Sequence, residues 1–361
     1  MRPKEPYINL CNPDKYFPGL WDLRINKELS GWWKQVFLSN FEHMVHLIKT
    51  NRDKDAVNRA EKAQRVMSEF MDDLLKKNLL EQYSSVHKIT IFREELLRRF
   101  DLDDPYREEK ISSTRRAFSL YPRVIRKLEE NPDQYSRIKE CCLRIFAGNI
   151  FDLGSVDIAN LHQMKTLKYG DIMKRVRKQK WYINHLDSWV ESLKTKNNEG
   201  FKILFFVDNS GYDFVCGCIP LARTLAEMGH TVIIAVNESA SLNDIFFEEA
   251  LISFNRLQTI DPKLRLLKDQ TRLRIITTGN ETPGIDFREV GAFVNLDGED
   301  AKQMILEGQG RAIETNWNAR FGIDCIRIST VKEPKVAQAI GAKSFDLILK
   351  FDKWSSRTIN R

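Results

Sequence analysis

Oxygen-bearing side chains follow an apolar run near the middle of the sequence. The run FKILFF ends at residue 206, and VDNSGYD covers Val207 to Asp213. Asp208 and Asn209 offer a carboxylate and an amide oxygen, and Asp244 in the later segment SLND adds a second carboxylate. Hard oxygen ligands of this kind favour Mg²⁺ or Mn²⁺ over a structural zinc ion. The same residue types also suit a turn and a helix N-terminus, so the residues alone leave both interpretations open.

A glycine-rich segment, EGQGR, covers residues 307–311. Gly308 and Gly310 would let backbone N–H groups approach an anion, and Arg311 could pair with that anion bidentately. The segment lacks the Gly-Lys-Ser/Thr ending of a Walker A loop, and no GxGxxG follows FKILFF. The pattern favours either an anion site at a strand-to-helix junction or a simple turn.

A small polar island interrupts the apolar segment IFAGNIFDLGS, where Gly148, Asn149 and Asp152 occur close together. One interpretation is a helix that ends with an Asn cap. The other is a loop that carries Asn149 and Asp152 to a cleft between two domains. The local sequence does not decide between them.

The period of the apolar residues changes after residue 196. In segments such as AVNRAEKAQRVMSEFMDDLLKKNLL, apolar residues recur at three- and four-residue steps. This period predicts an all-helical N-terminal domain over residues 1–196, without strands. After the polar break KTKNNEG, the chain reads as strands alternating with helices, and the predicted strands are FKILFFV, HTVIIAV, LRIITTG, KQMILEG, CIRIS and FDLILKF.

This alternation predicts an α/β fold over residues 201–361. The sheet is expected to be Rossmann-like and mostly parallel, with helices on both faces. Pro220 predicts a kink or a late start in the first helix, FVCGCIPLARTLAEMG, and RAIETNWNARFG is predicted to be a later helix. Ligands bind beyond the carboxyl ends of the strands in such sheets. Asp208, Asp244 and EGQGR all follow predicted strands, so we expect them to meet there.

The composition limits the function classes. The 361 residues are 42% hydrophobic and 30% charged, with a formal net charge of +7, which is typical of a globular chain with a mildly basic surface. No apolar run approaches the roughly 20 residues of a membrane span, and no signal-peptide core opens the sequence. We therefore expect a cytoplasmic protein without a membrane partner. The absence of a nucleic-acid recognition motif predicts no nucleic-acid partner.

Four segments resemble the metal-dependent damage-control phosphatases, a family long catalogued as a domain of unknown function. They are, in the order of that family, AGNIFDLGS, FFVDNSGYD, LND and EGQGRAIETN. The chain is most similar to the branch that includes the phosphatase domain of mammalian pantothenate kinase 4 and a stand-alone plant homologue. Glu307-Gly308 matches this branch, whereas relatives that act on sugar phosphates carry Lys-Gly.

The resemblance implies hydrolysis of phosphate monoesters with a divalent cation, Mn²⁺, Mg²⁺, Co²⁺ or Ni²⁺. Asp208, Asn209 and Asp244 match the family's metal-binding and catalytic positions. The implied substrate is a small phosphorylated metabolite, 4′-phosphopantetheine or its oxidised or sulfonated forms, which would be removed during coenzyme A synthesis. The residues expected to contact the substrate are Asn149, Asp152, Ser210, Glu307, Gly308 and Arg311.

Several alternatives stay open. The chain could be a sugar-phosphate phosphatase of the same family, a protein carboxyl methyltransferase or an anion-binding module. A methyltransferase should need a glycine-rich loop where DNSGYD offers one glycine. The nucleophile could be a metal-activated water or Asp208 itself, although an aspartyl-phosphate mechanism of the DxD type needs an acid where Ser210 stands. The role of Asp213 and the formation of a homodimer are left undecided.

Overall fold

The computed structural model describes residues 4–76, 79–150, 168–194 and 199–355. Asp152 lies outside these residues. Among the described residues, no helix is long and apolar enough to cross a membrane.

Helices dominate the first half of the described chain. In α2, the predicted apolar residues Ala56, Ala60 and Ala63 are buried, which explains the three- and four-residue period. α3 begins after Ser85, whose hydroxyl accepts a hydrogen bond of 3.3 Å from the Lys88 N–H. The helices of this half are α1 (Lys27–Asn51), α2 (Lys54–Lys76), α3 (Val86–Arg99), α4 (Arg107–Glu129), α5 (Gln134–Ile150), α6 (Tyr169–Lys178) and α7 (Leu186–Ser192).

Within the described residues, seven strands form one sheet in the order β1-β7-β6-β5-β2-β3-β4. Strands β2 to β6 run parallel, β7 is antiparallel to β6, and β1 pairs in parallel with β7. The strands are β1 (Ile183–Asn184), β2 (Lys202–Phe206), β3 (Thr231–Val236), β4 (Leu273–Thr277), β5 (Ala301–Glu307), β6 (Asp324–Thr330) and β7 (Leu347–Asp352). The predicted α/β class with a mostly parallel sheet is confirmed.

Helices cover both faces of this sheet. In β2, Ile203 and Phe205 pack on one face with residues of α4 and α5, while Leu204 and Phe206 pack on the other face with residues of α1 and α2. Burial on both faces explains why β2 is continuously apolar instead of alternating. The remaining helices are α8 (Ile219–Glu227), α9 (Phe247–Ile260), α10 (Pro262–Asp269), α11 (Ala292–Gly298) and α12 (Pro334–Ala339).

The first half of the chain also contributes a strand. The prediction that it contains none was wrong, because β1 pairs Ile183 with Ile348 at the edge of the sheet. A strand of two residues is too short to produce a period that sequence reading can detect. The division into domains at residues 1–196 and 201–361 stays a prediction.

Two segments beyond β2 and β5 form π-helices. Asp213–Cys218 is a π-helix that leads into α8, and Pro220 lies in the first turn of α8, so the predicted late start of this helix is confirmed. The segment RAIETNWNARFG was predicted to be a helix, but the structure has a π-helix only over Gly310–Glu314, followed by turns. π-Helical turns are frequent at functional sites, and these two lie in the segments that follow β2 and β5.

Candidate active site

The structure brings the three predicted metal ligands together at the carboxyl edge of the sheet. Asp208 and Asn209 follow β2, and Asp244 lies in the loop after β3. The backbones of Asn209 and Asp244 form an isolated antiparallel bridge, and the Ile245 N–H donates to the Asp208 carbonyl at 2.9 Å. All three side chains are buried. Asp244 does not cap α9, because the residue before that helix is Phe246.

Arg311 lies between the two aspartates. Its Nη1 forms an ion pair with Asp208 Oδ1, and its Nη2 lies 2.8 Å from Asp244 Oδ2 and 2.9 Å from Asn237 Oδ1. Burial alone lowers the pKa of Arg311, but the charges of Asp244 and Asp208 raise it above its ordinary value. Arg311 is therefore a buried cation that contacts the predicted metal ligands.

A second layer of polar side chains lies behind these ligands. Asn149, in the last turn of α5, donates from Nδ2 to Asp213 Oδ2 at 2.7 Å and to Glu307 Oε1 at 2.6 Å. The other oxygen of Glu307 accepts the Asp208 N–H at 2.7 Å. This layer therefore ties α5, β5 and the end of β2 to one another.

The environment of Glu307 favours its neutral form. Burial raises the pKa of Glu307 well above its ordinary range, and the nearby Asp213 and Asp208 raise it further. The hydrogen bond from Asn149 opposes this shift, since it stabilises the charged form. Carboxyl groups this close together in a buried site need protons or cations to balance them.

Glycines allow this close packing. A Cβ at Gly308, where φ is +88°, would lie 2.2 Å from Asp208 Cγ. A Cβ at Gly148 would lie 2.6 Å from Asp213 Cα, so only glycine lets α5 approach the π-helix closely enough for Asn149 to reach Asp213. The glycines of the segments AGN and EGQG are thus explained by the close approach of Asp213 and Asp208.

By ligand-atom spacing, Asp213, Cys218 and Glu307 could also hold a metal ion, because their potential ligand atoms lie within 4.8 Å of one another. However, the Asn149 amide N–H group already donates to both carboxyl groups of this trio. Cys218 Sγ lies 3.7 Å from Glu307 Oε2 and 3.9 Å from Asp213 Oδ1. These contacts describe a hydrogen-bonded network rather than an open ion site.

A cavity of about 100 Å³ opens beside Asp208, Asn209 and Asp244. Its far wall comes from α1 and α3, and includes Phe37 and His87. Burial lowers the pKa of His87 to about 4, so this imidazole is neutral near pH 7. The cationic side chains that line the cavity are those of Arg93, which pairs with Glu94, and Lys332.

The structure separates the remaining predicted substrate contacts. Asn149, Glu307 and Arg311 belong to the buried network described above. The Gly308 N–H donates to the Ile328 carbonyl at 3.1 Å. Ser210 lines two neighbouring cavities of about 690 and 1020 Å³, but not the cavity beside Asp208.

Sequence reading did not assign a chemical role to several polar residues of the site. Asn237 donates from Nδ2 to Asp244 Oδ2 at 3.0 Å, and Asn243 donates to Asn209 Oδ1 at 2.9 Å. Lys332 follows β6 and lines the cavity. Asn237 and Lys332 lie just beyond the ends of β3 and β6, so the rule that located Asp208 could also have selected them, whereas Asn243 lies further along the loop after β3.

The fold and site define a class: an α/β protein whose acidic side chains gather at the ligand-binding edge of a parallel sheet. Residues 35–348 match the family model described as the damage-control phosphatase ARMT1-like domain, and the chain belongs to this family. A crystal structure of a DUF89 family protein from Pyrococcus horikoshii has the same fold. It covers 87% of this chain and 96% of its own, with a TM-score of 0.60 and 19% identity.

Curated relatives agree with this family. The chain is 34% identical over 264 residues to the damage-control phosphatase At2g17340 of Arabidopsis thaliana, covering 73% of this chain and 71% of that protein. It is 24% identical over 409 residues to a mouse protein named 4′-phosphopantetheine phosphatase, covering 97% of this chain and 49% of that protein. It is 28% identical over 373 residues to pantothenate kinase 2 of rice, covering 95% of this chain and 41% of that protein. The chain thus spans half or less of the mouse and rice proteins.

Proposed function

We propose that this chain is a divalent-metal-dependent phosphatase that hydrolyses 4′-phosphopantetheine or its oxidised or sulfonated forms. The observation that carries the proposal is the buried acidic network at the carboxyl edge of the sheet. Four carboxyl groups, those of Asp208, Asp213, Asp244 and Glu307, share one hydrogen-bonded network with the guanidinium of Arg311.

The donor set of this network fits a hard divalent cation. Asp208 and Asp244 offer carboxylate oxygens and Asn209 an amide oxygen, and such ligands suit Mg²⁺ or Mn²⁺. Gly308 keeps space against Asp208 that a Cβ would fill. We assign Asp208, Asn209 and Asp244 as the residues that would hold the ion. A cation bound there would polarise a phosphoryl oxygen and lower the pKa of a bound water.

The charges around the cavity explain why a cation would be required. A phosphate ester is an anion, and the carboxylates of Asp208 and Asp244 would repel it in a buried site. Lys332 lines the same cavity and would supply positive charge to the phosphate oxygens, whereas Arg93, which also lines it, already pairs with Glu94. Arg311 neutralises part of the charge of the two aspartates and keeps both in place.

The size of the cavities supports a substrate with a long organic group. The cavity beside Asp208 measures about 100 Å³, so the phosphate would fill much of it. A larger cavity of about 1020 Å³ shares Asn209 and Asn243 with it and is lined by Tyr169 and Tyr212. We place the pantetheine arm there. The 24% identity to the mouse 4′-phosphopantetheine phosphatase and the Glu307-Gly308 pair both support this substrate.

A panel of phosphate esters tests the proposal. We expect phosphate release from 4′-phosphopantetheine with Mn²⁺, Mg²⁺, Co²⁺ or Ni²⁺, no release after chelation, and loss of turnover in Asp208→Ala. Turnover that survives chelation, or full activity of Asp208→Ala, would contradict the site. Faster hydrolysis of sugar phosphates than of phosphopantetheine would contradict the substrate and leave the metal site standing.

A further inference from the structure

We propose that Asp213 is a positioning residue that fixes the rotation of the Asn209 amide, so that the amide oxygen and not the amide nitrogen faces the ion. This inference rests on the proposed metal site. It gives a role to a carboxylate that lies next to the predicted ligands without being one of them.

The hydrogen bonds of Asn209 define its rotation. Its Nδ2 donates to Asp213 Oδ2 at 2.9 Å and to Asp208 Oδ2 at 3.1 Å. Its Oδ1 accepts a hydrogen bond of 2.9 Å from Asn243 Nδ2, and both residues line the cavity. Asp213 Oδ2 is the acceptor in its contacts with Asn209 and Asn149, so Asp213, together with Asp208 Oδ2, holds the N–H side of the Asn209 amide and leaves the amide oxygen on the opposite side.

The rotation decides whether Asn209 can act as a ligand. Hard divalent cations bind amide oxygens, whereas the N–H₂ group carries two donors and has no lone pair available for the ion. A half-turn of the amide would direct N–H₂ at the cation. Removal of a partner that orients a metal ligand in this way typically weakens metal binding by roughly 10–100-fold.

Asp213 is itself held firmly. The same Oδ2 that contacts Asn209 accepts the hydrogen bond from Asn149, and Cys218 Sγ lies 3.9 Å from Oδ1. Asp213 is 1% exposed and lies in the π-helix after β2, against Gly148 of α5. A carboxylate held from α5 and from its own helix can impose a direction on Asn209.

A purely structural role for Asp213 would have a different signature. A substitution would then weaken folding, and would lower metal affinity equally whatever residue stood at position 209. The orienting role depends on the asymmetry of an amide. Aspartate at position 209 has oxygens on both sides of its carboxylate, so it would need no partner to choose between them.

The experiment is a double-mutant cycle on Mn²⁺ affinity, measured by titration calorimetry on the full chain. Asp213→Ala and Asp213→Leu both remove the acceptor, and they leave a small and a large apolar side chain in its place. Each is compared with Asp213 in two backgrounds, one with Asn209 and one with Asn209→Asp. Asp213→Asn is the conservative variant, because its amide oxygen can still accept from Asn209. Thermal unfolding without metal confirms that each variant is folded.

We expect Asp213→Ala and Asp213→Leu to weaken Mn²⁺ binding about tenfold or more in the Asn209 background. In the Asn209→Asp background these two substitutions should leave the Mn²⁺ affinity unchanged or increase it. Asp213→Asn should retain most of the Mn²⁺ affinity in the Asn209 background. An equal loss in both backgrounds, or no loss in the Asn209 background, would overturn the inference while the metal site stands. A parent chain that binds no Mn²⁺ would overturn the metal site itself and the inference with it.

Discussion

Asn149 donates a hydrogen bond of 2.6 Å to Glu307, which lies 158 residues further along the chain. The bond joins the last turn of α5 to the end of β5. It makes a helix of the first half of the chain part of the wall of the candidate site.

The Asn149 amide should be required for stability. Asn149→Ala removes the donor shared by Asp213 and Glu307, and leaves two buried carboxyl groups without it. We expect the free energy of unfolding to fall by about 2–4 kcal/mol, as for the loss of two buried hydrogen bonds that leaves their acceptors without a donor. Urea denaturation checks this. Asn58→Ala, on the exposed face of α2, is the control and should change stability by less than about 0.5 kcal/mol.

Gly308→Ala should disrupt the position of Asp208. The new Cβ would lie 2.2 Å from Asp208 Cγ, at a backbone φ of +88° that L-residues rarely adopt. We expect lower stability and at least tenfold weaker Mn²⁺ binding. Gly31→Ala in α1 is the matched control, since a Cβ there meets no atom within 4 Å. The control should be neutral or stabilising, and equal effects of the two substitutions would contradict the packing argument.

Much of the fold could be predicted from the sequence, because continuously apolar strands and amphipathic helices have distinct periods. The position of Asp208 at the end of β2 followed from the same reading. The partners of Asp208 did not. Asn149 was seen as part of a polar island, but its contact with Asp213 depends on how closely Gly148 lets α5 pack against the π-helix. Likewise, nothing local to EGQGR reveals that Arg311 contacts Asp208 and Asp244.

Mn²⁺ should partly restore the stability that the chain loses when Arg311 is replaced. Arg311→Met leaves Asp208 and Asp244 without their buried cation, and we expect a loss of about 3–5 kcal/mol in unfolding free energy. Saturating Mn²⁺ should recover part of this loss, since it supplies charge to the same carboxylates. Arg223→Met is the control, because Arg223 is equally buried but pairs with Asp261 away from the site. If Mn²⁺ stabilises both variants equally, the account of Arg311 is wrong.

Glu249 should make stability depend on pH. Burial raises the pKa of Glu249 to about 7, above its ordinary value of 4.5, although Lys110 opposes the shift. The folded state then binds the proton more tightly than the unfolded state, so stability is fully present below pH 4.5 and falls as the pH rises to about 7.

Replacement of Glu249 by glutamine isolates this effect. Between pH 4.5 and 7.5, the free energy of unfolding of the parent should fall by about 3 kcal/mol relative to Glu249→Gln, from 1.36 kcal/mol per pKa unit. Urea denaturation across this range measures the difference. Glu248→Gln, at the exposed neighbouring position, should show the same dependence of the unfolding free energy on pH as the parent. A constant difference between the parent and Glu249→Gln would show that the carboxyl group titrates normally.

The most direct test of the central claim is a crystal structure of the chain soaked with Mn²⁺, with the ion located by its anomalous scattering. We predict one strong anomalous peak at coordination distance from the side-chain oxygens of Asp208, Asn209 and Asp244. A peak among Asp213, Cys218 and Glu307 would contradict this assignment. The absence of a peak near Asp208 and Asp244 at saturating Mn²⁺ would contradict it as well.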